Sequence, residues 1–438
     1  MFVARRCSLN FNGQSLIKRF ASTRSELPSY KVVVVGGGAG GLAVSSTISE
    51  ILGKNSVAII EPSDVHYYQP QWTFVGAGLK TLADSARPTE KLIPRNANWI
   101  KNKVTKVEPE NNSVVLGDGS KVKYDFLVVA PGIQLNWDKV KGLQESIGKN
   151  GVTSIYSKDT VEKTWDFLKE FRGGNAIFTM PSTPIKCPGA AIKIAYLAED
   201  HLTKNNLRSK SKVIYNSAMG KIFSIDKYAD SLTRIAKERD IQVNLLTELT
   251  EVRGDKKEAV FKNGKTGEEQ IYNFDLLHVV PPMGPPSFIA DSKIGNAAGW
   301  VDVDQNTLQH TKYPNIFSLG DASCCPTSKT AAAVSVQSGV LKKNLLNAIT
   351  QSFDPNNAAR YDGYASCPLI VGRDQVVLAE FSGYTTKPME TFPFDQGKES
   401  GSMYYLTKEV MPEIYWNRLL KGTWVGPHKI RKWFSYLG

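Results

Sequence analysis

The sequence predicts an α/β chain of two Rossmann-like units in tandem, closed by a C-terminal helical region. Three observations predict it. The apolar run Val32 to Val35 enters a Gly-x-Gly-x-x-Gly turn at Gly36, Gly38 and Gly41, which opens a helix through Leu42, Ala43 and Ile48. A second strand–loop–helix–strand pattern follows: Asn175 to Met180, then Ile194, Leu197, Ala198 and Leu202 at helical spacing, then Lys212 to Asn216. The last stretch of the chain repeats aromatic and basic residues at helical spacing. A length of 438 residues suits two or three domains.

Within the first unit, Gly36 allows the sharp turn, Gly38 lets the backbone approach a pyrophosphate, and Gly41 brings helix and strand together. Ala39 and Gly40 complete the turn. Unpaired N–H groups and the helix dipole then favour phosphate there. The next strand, Val57 to Ile60, ends in Glu61, an acceptor for a ribose diol. A Gly-rich hairpin is excluded because the valine run does not alternate.

Residues 1–28 read as a mitochondrial transit peptide. They carry Arg5, Arg6, Lys18, Arg19 and Arg24 with interspersed serines and no acid before Glu26. This accounts for part of the net charge of +12. No stretch reaches the ~18 apolar residues of a membrane span. Cys7, Cys187, Cys324, Cys325 and Cys367 are too few for a disulfide scaffold and match no zinc spacing. No metal site and no nucleic-acid partner are expected.

Two later segments extend the first unit. Tyr124 to Gly132 is an apolar strand ending in Ala-Pro-Gly, and Tyr313 to Asp321 is another ending in Gly320-Asp321. Lys329, Thr330 and Ala331 to Val334 then start a helix. In these features the chain resembles the two-dinucleotide-binding flavoproteins, the relatives of glutathione reductase. The resemblance implies FAD, with Gly320 and Asp321 closing its site and Asp321 holding the ribitol chain. It places Lys329 and Thr330, at the helix start, near the pyrimidine edge of the flavin. It also implies that Val104, on a predicted strand Trp99 to Val107, meets the adenine.

The second unit lacks both halves of a nicotinamide site. Its loop, Pro181 to Gly189, is rich in proline, which cannot build an N–H cradle, and the strand Lys212 to Asn216 has no terminal acid. Cys187 stands in that loop, read as the cap of a helix beginning at Pro188. The dipole, Lys186 and Lys193 would favour its thiolate. The chosen partner is Cys367, in Tyr361 to Leu369. Cys324 and Cys325 read as inert, since adjacent cysteines bridge only with strain.

Several segments are similar to those of mitochondrial-type sulfide:quinone oxidoreductases: Val65 to Pro70, Thr183 to Cys187, Ser328 to Ala333, Tyr361 to Leu369, and Glu390 to Gln396. The resemblance runs from about Lys31 to Gly438. It implies that Cys187 and Cys367 bracket the flavin as a redox pair, and that Gln69 lies beside FAD. A third cysteine found in some bacterial members is absent. The implied reaction oxidises hydrogen sulfide through a persulfide on Cys367. Cys187 is the leaving thiolate that passes two electrons to the flavin. A small thiol such as glutathione, or sulfite, takes the sulfur. His66 is either a general base or structural.

The implied electron acceptor is ubiquinone, reached from an inner-membrane lipid surface on the matrix side. Ile430, Trp433, Phe434 and Leu437 form one helical stripe, with Lys429, Arg431 and Lys432 opposite; Trp416, Leu419, Leu420 and Trp424 form another. Such aromatic and basic helices lie in the headgroup plane. Phe381 and Phe394 are candidate quinone walls. The expected organisation is 29–150 and 296–355 for FAD, 151–295 for the degenerate second unit, and 356–438 for the redox-cysteine and membrane region. Competing readings are an NADH:quinone oxidoreductase, a disulfide reductase, or a flavin-binding redox sensor. The absent second Gly-rich loop and absent Cys-x-x-Cys weigh against the two enzymes.

Overall fold

The structure, a computed structural model, describes residues 27–435. The predicted leader lies almost wholly outside the described residues, as does Leu437. The first unit opens with β1 (Ser29–Val35), α1 (Ala39–Leu52), β2 (Val57–Ile60), β3 (Ala97–Ile100), β4 (Val104–Glu108), β5 (Ser113–Leu116) and β6 (Lys121–Val129). They form a sheet of order β3-β2-β1-β6-β5-β4. Strand β1 is paired in parallel on both sides, Val34 meeting Ile59 and Val128. A central parallel strand is covered on both faces, which is why its valines do not alternate. The predicted strand Trp99 to Val107 is two strands, broken at residues 101–103, where the chain leaves the parallel core for the antiparallel β4–β5 pair.

The second unit is a five-stranded sheet of β7 (Val152–Thr153), β8 (Gly174–Met180), β9 (Ser211–Ser217), β10 (Ile241–Asn244) and β11 (Leu276–His278), in the order β7-β11-β8-β9-β10. All of its pairs are parallel. Helix α2 (Ala190–Lys204) crosses from β8 to β9. The chain then returns to the first sheet as β12 (Ile316–Ser318), parallel to β6, and continues into α3 (Ala331–Ile349).

A small antiparallel sheet follows: β13 (Ala365–Ile370), β14 (Val376–Ser382) and β15 (Lys387–Met389). Its register pairs Cys367 with Ala379 and Ser366 with Glu380. Side chains alternate along a strand. Cys367, Leu369, Ala379 and Phe381 accordingly enter the core, while Ser366, Pro368, Ile370, Leu378 and Glu380 line a cavity on the other face. Phe381 packs on Phe223 inside the core and is no quinone wall.

The C-terminal region is a helical run over 401–419 with two π-turns, Leu406–Val410 and Tyr415–Leu419, followed by α4 (His428–Ser435). Trp416, Leu419 and Leu420 are buried in the core of the first unit. Ser46 donates to the Leu420 carbonyl at 2.6 Å, and Lys342 donates to that of Gly422 at 2.6 Å. This stripe therefore packs against protein, not lipid.

Candidate active site

The Gly-rich turn forms the floor of a cavity of about 1000 Å³, at the upper end of the ~300–1,000 Å³ typical of ligand pockets. Gly36 has φ +97°, and a Cβ there would lie 2.4 Å from the Ala130 carbonyl oxygen. A Cβ on Gly41 would lie 1.9 Å from the Gly36 oxygen. Gly38 differs: nothing stands within 4 Å of its Cβ position, so the backbone is open to the cavity. Ala39 and Gly40 form the first turn of α1 and line the same floor. The Glu61 carboxylate accepts from the N–H groups of Gly37 (2.8 Å) and Ser63 (2.7 Å), which fixes it at the edge of the turn. Val104 lines the same end. A cradle open only at Gly38, with an acid beside it, fits an adenine dinucleotide.

At the other end stand Gly320 and Asp321. Gly320 has φ +70° and donates its N–H to Gln337 Oε1 at 2.8 Å. Burial pushes the Asp321 carboxyl up, opposed by the charges of Lys329 and Lys186. Thr330 caps α3, its Oγ1 accepting from the Ala333 N–H at 3.1 Å. Lys329, just before α3, lines the cavity. It donates to the carbonyls of Asp321 (2.7 Å) and Ser323 (3.1 Å) and lies 4.0 Å above the Trp300 ring. The start of α3 lines the cavity beside it, through Thr330, Ala331 and Ala332. Gln69 accepts from Lys186 Nζ at 2.8 Å, and burial lowers that ammonium to about 8.

His66 is structural. Its Nδ1 lies 3.0 Å from the Gly37 carbonyl and its Nε2 2.6 Å from the Tyr415 hydroxyl, so both nitrogens are used. Burial lowers its pKa, which suits a neutral ring donating through Nδ1 and accepting from Tyr415. This pair ties the nucleotide turn to a π-turn of the C-terminal run, a link that residue spacing did not reveal.

Cys187 and Cys367, 180 positions apart in the chain, meet with their sulfurs 3.7 Å apart. Helix α2 begins at Ala190, two residues later than the reading from Pro188, and Gly189 is its cap. Cys187 sits just before it at φ +45°, a left-handed conformation costing a non-glycine residue ~1–3 kcal/mol. The strain is held by hydrogen bonds. The Cys187 N–H donates to the Lys329 carbonyl at 2.7 Å, and the Cys187 carbonyl accepts from Ala190 (2.8 Å) and the Tyr156 hydroxyl (3.2 Å). Gly189 leaves the room for Cys367: a Cβ there would stand 2.4 Å from its sulfur.

The hydrogen bond from the Cys367 thiol, together with the buried Lys193 ammonium 3.6 Å away, lowers the Cys187 thiol to about 6. That same hydrogen bond and burial push Cys367 up. Cys187 is thus the thiolate of the reduced pair and Cys367 the protonated partner. Iodoacetamide labelling of Cys187 in the reduced protein should therefore rise with pH around a midpoint near 6, because the thiolate is the nucleophile. Lys193→Met should move that midpoint up, and an unchanged midpoint would refute the assignment. Cys324 and Cys325 have their pKa values raised by burial and bond to the carbonyls of Val303 (3.2 Å) and Gln305 (3.9 Å), as inert thiols do.

The cavity continues past the cysteines into a chamber walled by β13, β14, the 401–419 run and α4. Phe392 lines it, whereas Phe394 stacks on Phe392 and is exposed. Arg431, expected on the outer face of α4, turns inward over the Tyr364 ring at 5.4 Å. Glu380 was not singled out from the sequence. Its signal there was a lone acid in the apolar strand Val376–Ser382.

Residues 30–166 match the family described as Pyridine nucleotide-disulphide oxidoreductase. The chain is 48% identical over 406 residues to the mitochondrial sulfide:quinone oxidoreductase of Mus musculus, covering 92% of this chain and 89% of that one. It is 47% identical over 403 residues to the mitochondrial sulfide:quinone oxidoreductase of Dictyostelium discoideum, covering 91% and 88%. The solved sulfide:quinone oxidoreductase of Aquifex aeolicus shares the fold, with a TM-score of 0.75 at 19% identity over 90% of this chain and 92% of that one.

Proposed function

The chain belongs to the mitochondrial sulfide:quinone oxidoreductase family, and on that premise we propose that it oxidises hydrogen sulfide at the Cys187–Cys367 pair, passing two electrons through FAD to ubiquinone. The observation that carries the reading is the meeting of these two thiols beside a buried lysine, with Cys187 lining a cavity whose far end is an open Gly-rich cradle. Gly36, Gly38, Glu61, Val104, Gly320 and Asp321 would hold FAD, which when bound would supply a two-electron acceptor for the pair and a donor for the quinone.

In the oxidised pair, hydrosulfide attacks Cys367. The bond between the cysteines breaks, Cys367 becomes the persulfide, and Cys187 leaves as thiolate. Exchange runs through the better leaving group, the lower-pKa thiol, and Lys193 is placed to stabilise that charge. A nucleophile such as glutathione or sulfite then removes the outer sulfur and leaves Cys367 as thiolate. Loss of two electrons from the two thiolates restores the disulfide. The second sheet takes no part in nicotinamide binding in this scheme, since Pro181 to Cys187 replaces the Gly-rich turn. Sulfide should reduce the flavin of the purified protein and decyl-ubiquinone should reoxidise it, with no saturable NADH oxidation. NADH-driven quinone reduction at a comparable rate would overturn the reading.

The same reading places the protein peripherally on the mitochondrial inner membrane, on the matrix side. No described helix is long and apolar enough to cross a membrane. Trp433 and Phe394 are exposed, and the aromatic contacts Phe394–Phe392–Phe434–Trp433 join them beside Lys429 and Lys432. Amphipathic surfaces of this kind bind anionic bilayers. Replacing Trp433 and Phe394 together by serine should release the protein from anionic liposomes in a pelleting assay. Unchanged pelleting would refute this docking face.

A further inference from the structure

The cysteine chemistry leaves one ammonium of the cavity without a task. Lys186, Lys193 and Lys329 all line that cavity. The Lys193 Nζ is held 3.6 Å from the Cys187 sulfur. The Lys329 Nζ donates to the carbonyls of Asp321 and Ser323 and lies over Trp300. An ammonium has three N–H donors. Lys186 places one of them, on Gln69 Oε1 at 2.8 Å, and no other acceptor among the described residues takes the rest. Its Nζ also lies 5.3 Å from the centre of the buried Trp72 ring.

Both ends of Lys186 are fixed. Its backbone forms a parallel bridge with Lys329, and the Cys187 N–H that follows donates to the Lys329 carbonyl at 2.7 Å. Those contacts lay the residue before Cys187 along the segment that starts α3. Gln69 and Trp72 hold the far end of the side chain, with an acceptor and an aromatic face that both favour a cation. The charge so held serves the Asp321 end of the cavity rather than the sulfurs. Asp321 is the charge that acts on Lys186, whereas Lys193 is the ammonium that acts on Cys187. Burial lowers Lys186 to about 8, which leaves it charged at pH 7. Open N–H groups on a fixed cation, next to Cys187 and facing the charge of Asp321, suit a ring whose oxygens and nitrogens accept hydrogen bonds and which gains negative charge on reduction.

We propose that Lys186 is the hydrogen-bond donor and fixed positive charge for the flavin ring, and that Gln69 and Trp72 are the positioning residues that hold it there; the proposal rests on FAD occupying this cavity. Lys186 favours the two-electron-reduced, negatively charged ring over the oxidised one, and so raises the driving force for taking electrons from the cysteine pair.

The experiment measures the midpoint potential of the bound flavin in the holoenzyme at pH 7, by equilibration with a reference dye. Lys186→Gln should lower the equilibrium constant for two-electron reduction at least tenfold, a midpoint ~30 mV more negative. Arginine keeps the charge and also stacks on aromatic rings, so Lys186→Arg should stay within about threefold of the wild type. Gln69→Ala frees the ammonium and should give a smaller fall than Lys186→Gln. The iodoacetamide midpoint of Cys187 should stay in place in Lys186→Gln, which separates this role from that of Lys193. An unchanged flavin potential in Lys186→Gln would overturn the proposal. A Cys187 midpoint that moves as far as in Lys193→Met would overturn it too, by assigning the charge to the sulfurs. If Lys186→Gln folds without flavin, FAD retained by Lys186→Arg supports a charge at the ring, and FAD lost from both variants overturns it. A wild-type protein that binds no FAD would overturn the functional reading and the proposal together. Bound FAD that sulfide does not bleach would overturn the functional reading alone, since the dye titration still decides the role of Lys186.

Discussion

Serine in place of either Cys187 or Cys367 abolishes bleaching of the bound flavin by sulfide while FAD stays in place. A hydroxyl neither exchanges with a sulfur–sulfur bond nor ionises near neutral pH, so one oxygen for one sulfur removes the whole pathway. The loss expected is roughly 10⁴-fold or more, the scale seen when one member of a catalytic unit is deleted. The fold should survive. Cys187 is partly exposed, and its backbone partners Lys329 and Ala190 do not involve the sulfur. Cys367 is buried, and a hydroxyl there costs ~1–3 kcal/mol if unpaired. Stopped-flow absorbance in the flavin band after mixing with sulfide is the measurement. Rapid bleaching retained in both variants would sink the mechanism.

The second large effect separates two glycines three residues apart. In Gly41→Ala the new methyl would sit 1.9 Å from a backbone oxygen of β1's exit turn, so helix and strand must part. Overpacking of this kind costs ~1–3 kcal/mol or more, and soluble yield and thermal midpoint should both fall. In Gly38→Ala the methyl meets no protein atom, and the φ of −75° suits alanine. That variant should fold with an unchanged circular dichroism spectrum and yet be purified with little FAD, because the methyl occupies the space the pyrophosphate needs. The ratio of flavin to protein absorbance decides the matter. A full complement of FAD in Gly38→Ala would show that the phosphates lie elsewhere.

The first sheet was legible in the sequence because its signals are local. Four valines without alternation, the glycine spacing and Glu61 each report a backbone requirement within a few residues. The pairing of Cys187 with Cys367 was accessible through family resemblance, since no local pattern joins residues 180 apart. Other features were hidden for physical reasons. The break at 101–103 marks a change from parallel to antiparallel pairing, which residue propensities do not report. The start of α2 moved because Cys187 spends its backbone on Lys329 before the helix begins. Trp416, Leu419 and Leu420 have a periodicity that cannot distinguish a lipid from a protein neighbour, and the protein neighbour won. Arg431 read as surface because its partner, Glu380, lies on a different element.

The hairpin of β13 and β14 is one residue thick, and parity along it decides which chemistry each side chain meets. The ribbon turns Cys367 toward Cys187 on one side and offers Ser366, Pro368 and Glu380 to the chamber on the other. That division is a property of counting rather than of composition. Inserting a single residue between Ser366 and Cys367 would reverse the faces of β13 beyond that point and turn Cys367 away from Cys187, while leaving every functional side chain in the polypeptide.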